Sequence, residues 1–240
     1  MKQKIRLIIG ILLLWQLIAV GVGNNIIVPF PLQTIKRMGE LLFEISFYQN
    51  VFLTLSHVIV VVLISAIIAF FLAYISYQKP IIDEYVSPFL SMLQAIPNIS
   101  FIIIVLVWTS SLQTVYIVLF LVIFPLLYNN FIAGFHHIED ELRDVIRLYQ
   151  PQFYDKFVKV YLPLIRPSFI SGMKSALSLG VKVAVMAEIL AGLPYGVGRV
   201  INYARSSLFD MTEVFAWTIW LVIFILLIEY GLKKLIQDDE

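Results

Sequence analysis

The residues of this chain able to do chemistry are few, and most of them sit in apolar surroundings. Lys182 and Glu188 lie six residues apart within the apolar run from about Phe169 to Leu190, with Lys174 earlier in the same run. A charge inside hydrocarbon is expensive, so by default it faces the protein interior or a water-filled path. Two readings of Lys182 stay open: a cation lining a path for an anionic solute, or a member of an internal pair, with Glu188 or with an acid on another helix. Glu188, near the outer end of the run, either pairs with Arg199 or Arg205 in the following loop or touches a substrate or partner arriving from outside. Lys174, near the other end, is expected to snorkel. His57 stands early in an apolar run and reads as a hydrogen-bonded helix contact rather than a ligand. His136, His137 and Glu139 read as ordinary interface residues, because His-x-x-Glu lacks the Glu and second His of a zinc-binding helix. Ser171-Gly172 has no Gly-x-Ser-Gly context for a serine nucleophile. Cysteine is absent, which excludes disulfides, a thiolate nucleophile and cysteine-based metal sites. The expectation is therefore no catalytic residue and no metal site.

The elements that must position these residues are set by composition. Of 240 residues, 60% are hydrophobic and 14% charged, against about 25% charged in soluble domains. A net charge of +1 creates no field for nucleic acid. Six stretches approach the length of about 20 apolar residues that a span needs: Ile5 to Val22, Val51 to Ser76, Tyr85 to Trp108, Val115 to Gly134, Phe169 to Leu190 and Val214 to Leu232. They do not alternate as barrel strands would, so helices are expected. Pro97 is expected to break or kink the third and to free backbone groups that line a cavity. Lys2, Lys4 and Arg6 before the first run would suit a signal peptide, but no Ala-x-Ala site follows, so a retained first helix is expected. With the N-terminus inside, eleven of the seventeen Lys and Arg residues fall on the cytoplasmic side and four outside. This bias puts both termini in the cytoplasm.

Outside the spans, the stretch from Leu32 to Tyr48 is expected to form an amphipathic helix at the outer interface. The longest cytoplasmic piece, Phe135 to Pro167, balances five basic residues against five acidic ones. Its Asp140–Tyr149 part reads as a helix supported by i,i+3 pairs of Asp140 with Arg143 and Asp144 with Arg147. Gln150-Pro151 interrupts it. A second short helix is expected from Gln152 to Val160, ended by Leu162-Pro163. Phe153, Phe157, Val158 and Tyr161 make that helix partly apolar, and an apolar surface on a water-facing loop needs a partner.

Here several features occur in a recognisable order. Val28-Pro29-Phe30-Pro31 follows the first span, and Ser87-Pro88 and Ala95-Ile96-Pro97 mark the third. Glu141-Leu142-Arg143-Asp144, Tyr149, Phe157, Val160, Leu162-Pro163 and Pro167 make up the loop. Gly180-Val181-Lys182-Val183 and Ala187-Glu188 mark the fifth span, and Gly196-Val197-Gly198 the turn beyond it. From about Val51 onward the chain resembles the permease subunit of a binding-protein-dependent ABC importer, closest to the nitrate, sulfonate, taurine and pyrimidine-precursor group. The resemblance implies an all-α integral membrane protein of about six transmembrane helices with type I importer permease (MetI-like) architecture. Residues 1–50 would be a first helix and outer linker, the helix wrapping a neighbour, and residues 51–240 a five-helix core. The loop 135–167 would be the EAA loop, whose coupling helix docks on a separate ATPase through Glu141, Asp144, Tyr149, Gln150, Phe153, Phe157, Leu162 and Pro163, with Tyr149 and Phe157 as the foremost contacts. Pro97, Lys182 and Glu188 would belong to the solute path or its gate.

The resemblance further implies a homodimer in the bacterial cytoplasmic (inner) membrane, two cytoplasmic ATPase subunits and an external substrate-binding protein. ATP and magnesium would reside on the ATPase, and no cofactor on this chain, which has no Gly-x-x-x-x-Gly-Lys-Ser/Thr loop. The chain departs from the EAA pattern at Val145-Ile146, where the pattern has a small pair, and at Gln150, where it has glycine. A glycine would allow positive φ at the corner, whereas a residue before proline is pushed toward an extended conformation. Three rival readings are kept. A secondary transporter or channel without an ATPase partner often shows an inverted repeat, and none is visible. An intramembrane enzyme needs polar groups converging at one depth, and a vitamin-importer membrane component would use a different helix arrangement.

Overall fold

The computed structural model describes residues 2–149 and 152–237. The elements in chain order are α1 (Lys2–Val22), α2 (Pro31–Leu41), α3 (Ile45–Gln78), α4 (Pro80–Ala95), α5 (Asn98–Trp108), α6 (Ser111–His136), α7 (Asp140–Tyr149) and α8 (Phe153–Asp155). A π-helical turn (Lys156–Tyr161), α9 (Leu162–Leu164), α10 (Arg166–Ala191), α11 (Val197–Tyr203), a second π turn (Ala204–Leu208) and α12 (Met211–Gln237) complete the chain. No strand occurs among the described residues.

Three helices are long and apolar enough to cross a membrane on length and composition alone: Ile45–Gln78, Ser111–His136 and Met211–Gly231. The other crossings rest on where their ends lie. α4 and α5 meet at a bend of 93°, at Ile96-Pro97, which matches the break expected at Pro97. The Tyr128 hydroxyl donates to Asp83 in the first turn of α4 (2.6 Å), and Thr109, just after α5, shares a 2.8 Å hydrogen bond with Thr114. Tyr128 and Thr114 are separated by roughly 21 Å along α6 at 1.5 Å per residue, so the bent pair is one broken span. α10 has the length for a span but carries four charges, Arg166, Lys174, Lys182 and Glu188. It runs alongside α3 and α6: Gly134 faces Ser168 and Ile165 at one end, Gly180 faces Val58 and Ile123 further along, and Glu188 meets Thr54 at the other end. The end of the bundle that bears α7 to α9 is called the loop end below.

The core lies where α3, α6 and α10 touch. Val58, Val61, Ile123, Leu127, Phe131, Ala176, Val181 and Ala184 are all buried there. The driving force is not apolar transfer, since lipid tails are as apolar as leucine, but close packing permitted by small residues. A Cβ placed on Gly180 would lie 2.8 Å from Val58 Cγ1 and 3.1 Å from Ile123 Cδ1, and one on Gly172 would lie 3.0 Å from Asn130 Cβ. At the start of α6, Ser110 and Gln113 form a capping box, the Ser110 N–H donating to Gln113 Oε1 at 3.1 Å, which satisfies otherwise orphaned donors.

Two boundaries differ from the sequence reading. α3 begins at Ile45 rather than Val51 and has 34 residues, about 51 Å at 1.5 Å per residue, so it projects beyond the hydrocarbon. The amphipathic helix accordingly stops at Leu41. An ionic knot holds it down. Arg37 donates to both carboxylate oxygens of Glu213 at the start of α12 and to Glu44 at 2.7 Å, and Trp217 Nε1 donates to Glu213 at 2.8 Å. Hydrogen bonds from Glu213 and then Glu44 raise the Arg37 pKa above its ordinary value, although partial burial opposes them. The guanidinium stays charged at any accessible pH. Trp220 Nε1 donates to the Met38 carbonyl at 3.2 Å. α1 is tied by Trp15 Nε1 to the Pro29 carbonyl (3.0 Å) and by ring contact with Phe215, and Ala19 one turn further on is buried.

Gly180→Leu should lower the unfolding midpoint in detergent through about 1–3 kcal/mol of overpacking. Gly39→Ala, whose added Cβ meets nothing within 4 Å, should leave the midpoint within error. Thermal unfolding followed by circular dichroism measures both.

Candidate functional site

Glu188 is fully buried and gathers donors from three directions. Thr54 Oγ1 donates to its carboxylate at 2.9 Å, the Gly198 N–H donates to Oε2 at 2.9 Å, and His57 Nδ1 lies 3.3 Å from Oε1. Asn50, Thr54 and His57 are spaced i, i+4, i+7, so they share one face of α3. The same face receives the next backbone amides: the Gly196 N–H donates to Asn50 Oδ1 and the Val197 N–H to Thr54 Oγ1, each at 2.9 Å. The chain reaches this position because Gly192 ends α10 at φ 65° and Gly196 turns at φ 96°. A side chain on Gly198 would sit 2.7 Å from the Val185 carbonyl oxygen and 2.5 Å from Glu188 Cβ. The partners expected for Glu188, Arg199 and Arg205, are both exposed, and Arg205 bonds to Asn202 instead. The physical reason is the double turn. It folds the chain back over the end of α10 and brings amides, not guanidinium groups, to the carboxylate. Buried and bonded within its own chain, Glu188 holds the turn 192–198 to α3.

Lys182 is exposed from its own chain, and among the described residues no acid stands within ion-pair distance of it. It is not paired with Glu188: six residues on a helix turn through about 600°, which puts them on different faces. The exposed face of α10 continues through Ser171, Ser175 and Leu190. Lys174, by contrast, meets Glu229 of α12 at 3.8 Å. His57 is buried, with its ring 5.4 Å from Tyr116 and 6.1 Å from Tyr195, and serves as a helix contact. Pro97 is exposed at the break, and its carbonyl accepts the Ser100 N–H at 2.9 Å.

At the loop end, α7 packs against the core at Leu142, while further along α7 and α8 several side chains face outward. Leu148 and Tyr149 are each 85% exposed and Tyr154 69%, while Glu141 is exposed too. The expected helix Gln152 to Val160 does not stop at Leu162-Pro163. It continues as the π turn to Tyr161 and as α9, and the break comes at Ile165 (φ −91°, ψ 3°). Proline fits the first turn of a helix, where its missing N–H is no loss, so Pro163 opens α9 instead of ending its predecessor. Leu162 and Pro163 line a cleft of about 380 Å³ with Arg166, Phe169 and Ile170. Gln150 lies outside the described residues, and so do the side chains of Asp144, Phe153 and Phe157.

A family model described as "Binding-protein-dependent transport system inner membrane component" matches residues 65–236. The chain belongs to this family. It is a transport permease of a binding-protein-dependent ABC importer, a multi-pass membrane protein and not an enzyme. Among curated relatives, the permease is 26% identical over 215 residues to the formylaminopyrimidine transport permease protein ThiX of Halalkalibacterium halodurans, covering 86% of this chain and 82% of that one. It is 24% identical over 206 residues to the nitrate import permease protein NrtB of Leptolyngbya laminosa, covering 81% and 72%. Among solved structures, an inward-facing MetNI methionine ABC transporter matches with a TM-score of 0.68 and 18% identity, covering 79% of this permease and 94% of that chain. At that identity the match speaks for the fold, which is that of type I importer permeases.

The sequence reading did not find Asn50 and Thr54. Their i, i+4, i+7 spacing with His57 in an apolar run was a usable signal, as was the pair of glycines at 196 and 198. Glu188→Ala should strand several buried donors at about 1–3 kcal/mol each. The permease should then unfold at a markedly lower temperature in detergent, whereas Arg199→Ala should not shift the midpoint.

Proposed function

We propose that this permease works as a homodimer in a bacterial inner membrane, each copy contributing half of a solute path and docking one ATPase subunit through residues 135–167. The observation that carries the docking is the apolar surface at the loop end: Leu148, Tyr149 and Tyr154 are extensively exposed on a loop whose charges balance. Such a surface in water needs a partner, and a short helix with an aromatic anchor suits a groove on a cytoplasmic protein. The Lys and Arg bias places that loop in the cytoplasm. ATP and magnesium belong to the ATPase, and the solute comes from an external binding protein. Closure of the two ATPases moves the two loops together and tilts the helices between outward-open and inward-open states.

Lys182 is our candidate for a path residue. An unpaired ammonium on the outer face of a spanning helix is intolerable in lipid, but not beside a water-filled path between two copies. The names of the relatives, together with this cation, support a small anion or a small heteroaromatic solute. Glu188 acts on the path indirectly, by holding the outer loop, and Pro97 by breaking the third span next to it. A secondary transporter working without an ATPase is not what the family match supports. The separate docking loop favours the importer.

Tyr149→Ala should weaken capture of the ATPase subunit at least about tenfold, the loss of roughly 1.4 kcal/mol expected for one interface anchor, in a pull-down from mild detergent. Failure of the wild-type chain to hold any ATPase would favour the secondary transporter. Lys182→Met should abolish solute uptake while leaving assembly and basal ATP hydrolysis intact, and normal uptake by this variant would remove Lys182 from the path.

A further inference from the structure

The loop that presents the docking surface packs partly against the membrane helices at Leu142 and Val160, and it is seated among them most deeply at Tyr161. Among the described residues from 141 to 164, Tyr161 alone is buried, with 2% of its surface exposed. Its ring sits among the last turns of α3 and α6. Ring centroids lie 5.3 Å away at Tyr74, 5.8 Å at Phe135 and 6.1 Å at Tyr77. Gln78 Nε2 donates to the Tyr161 hydroxyl at 3.1 Å, so the buried phenol keeps a polar partner, as buried tyrosines require.

The cage does not end there. Phe135 stacks on Tyr77 at 5.4 Å and meets Phe70 at 5.8 Å. Phe70 meets Phe131 at 5.9 Å, and Phe131 stacks on Phe169 of α10 at 5.1 Å. One continuous run of rings therefore joins the loop to α3, α6 and α10, the three helices of the core. Tyr161 also closes the π-helical turn Lys156–Tyr161. Such wide single turns are rare in helices and recur at functional sites.

We propose that Tyr161 is the positioning residue through which displacement of the cytoplasmic loop reaches the membrane helices. This rests on the reading of that loop as an ATPase-docking element. A rigid ring seated between two helix ends cannot slide without moving them, because packed interiors shift between discrete arrangements instead of deforming continuously. The loop residues before Tyr161 bind the ATPase. Tyr161 turns their movement into a tilt of α3 and α6, and the stacked rings carry α10 with them.

The test uses the full permease–ATPase complex in proteoliposomes with its binding protein, comparing wild type, Tyr161→Leu, Tyr161→Phe and Phe135→Leu. Solute uptake and ATP hydrolysis are measured together. Tyr161→Leu is expected to keep the ATPase bound and hydrolysing while uptake per ATP falls at least tenfold, with solute KM unchanged. Tyr161→Phe, which keeps the ring contacts and gives up the Gln78 hydrogen bond, is expected to restore uptake per ATP to within about twofold of wild type. Unchanged uptake per ATP in an assembled Tyr161→Leu complex would overturn the proposal. So would a parallel fall of uptake and hydrolysis. Should Tyr161→Leu fail to assemble, Phe135→Leu decides, since Phe135 is buried in the last turn of α6 and its loss loosens the cage without altering the exposed side chains of α7 and α8: an uncoupled complex supports the proposal and a coupled one overturns it. Absence of ATPase from the wild-type complex would instead refute the docking reading itself.

Discussion

Helices in hydrocarbon gain nothing by hiding apolar side chains from lipid that is equally apolar, so their association depends on how closely their backbones approach. In this permease that approach is concentrated on α10. Gly172 lies against Asn130 and Phe131 of α6, Gly180 against Val58 and Ile123, and the α6 residue Gly134 against Ser168. At each point a side chain of the neighbouring element takes the space that a Cβ would need. α10 is thereby seated between α3 and α6, although on composition it is the most polar of the spanning helices. Everything it carries is placed by that seating: Glu188 arrives within bonding distance of Thr54, Phe169 reaches Phe131, and Lys182 is left facing out.

The two ends of the bundle are then finished by different physics. At one end a carboxylate is fully desolvated, which is tolerable only when it is hydrogen-bonded on all sides. Three backbone amides, the Thr54 hydroxyl of α3 and the side chain of Asn50 make a network with Glu188 in which the turn 192–198 is bonded directly to α3. At the loop end the joint is mainly aromatic, with the Gln78–Tyr161 hydrogen bond among its polar contacts. The first is directional and rigid. The second holds by area and shape, and shape-based packing can pass from one arrangement to another.

A good deal was legible from residue order. The apolar runs, the break at Ile96-Pro97, the polar loop and the family resemblance all follow from local composition and spacing, and the structure and family match agree with them. The element ends were less legible. Leu162-Pro163 reads as a stop because proline cannot continue a helix, yet the same residue is well suited to begin one, and only the surrounding backbone shows which role it takes. α3 starts early because Phe47 is buried against Trp217 of α12, a contact between residues far apart in sequence.

The site residues divide in the same way. That Lys182 and Glu188 had to be accounted for was evident from the sequence alone, since the cost of a charge in hydrocarbon depends on the residue and its apolar neighbours. Their different fates were not. Which partner satisfies a buried carboxylate depends on where a turn with two positive-φ glycines carries the next few amides, and that is a three-dimensional outcome of the α10–α3 contact. Tyr161 gave no sequence signal to set it apart from the other aromatics of its loop. Its burial is decided by the ends of α3 and α6, which converge around it only once the bundle has formed. Membrane insertion, helix order and charge bias were thus determined by the sequence by itself, because they depend on local composition. Only tertiary packing decided which polar groups meet, because distance between helices is a property of none of them alone.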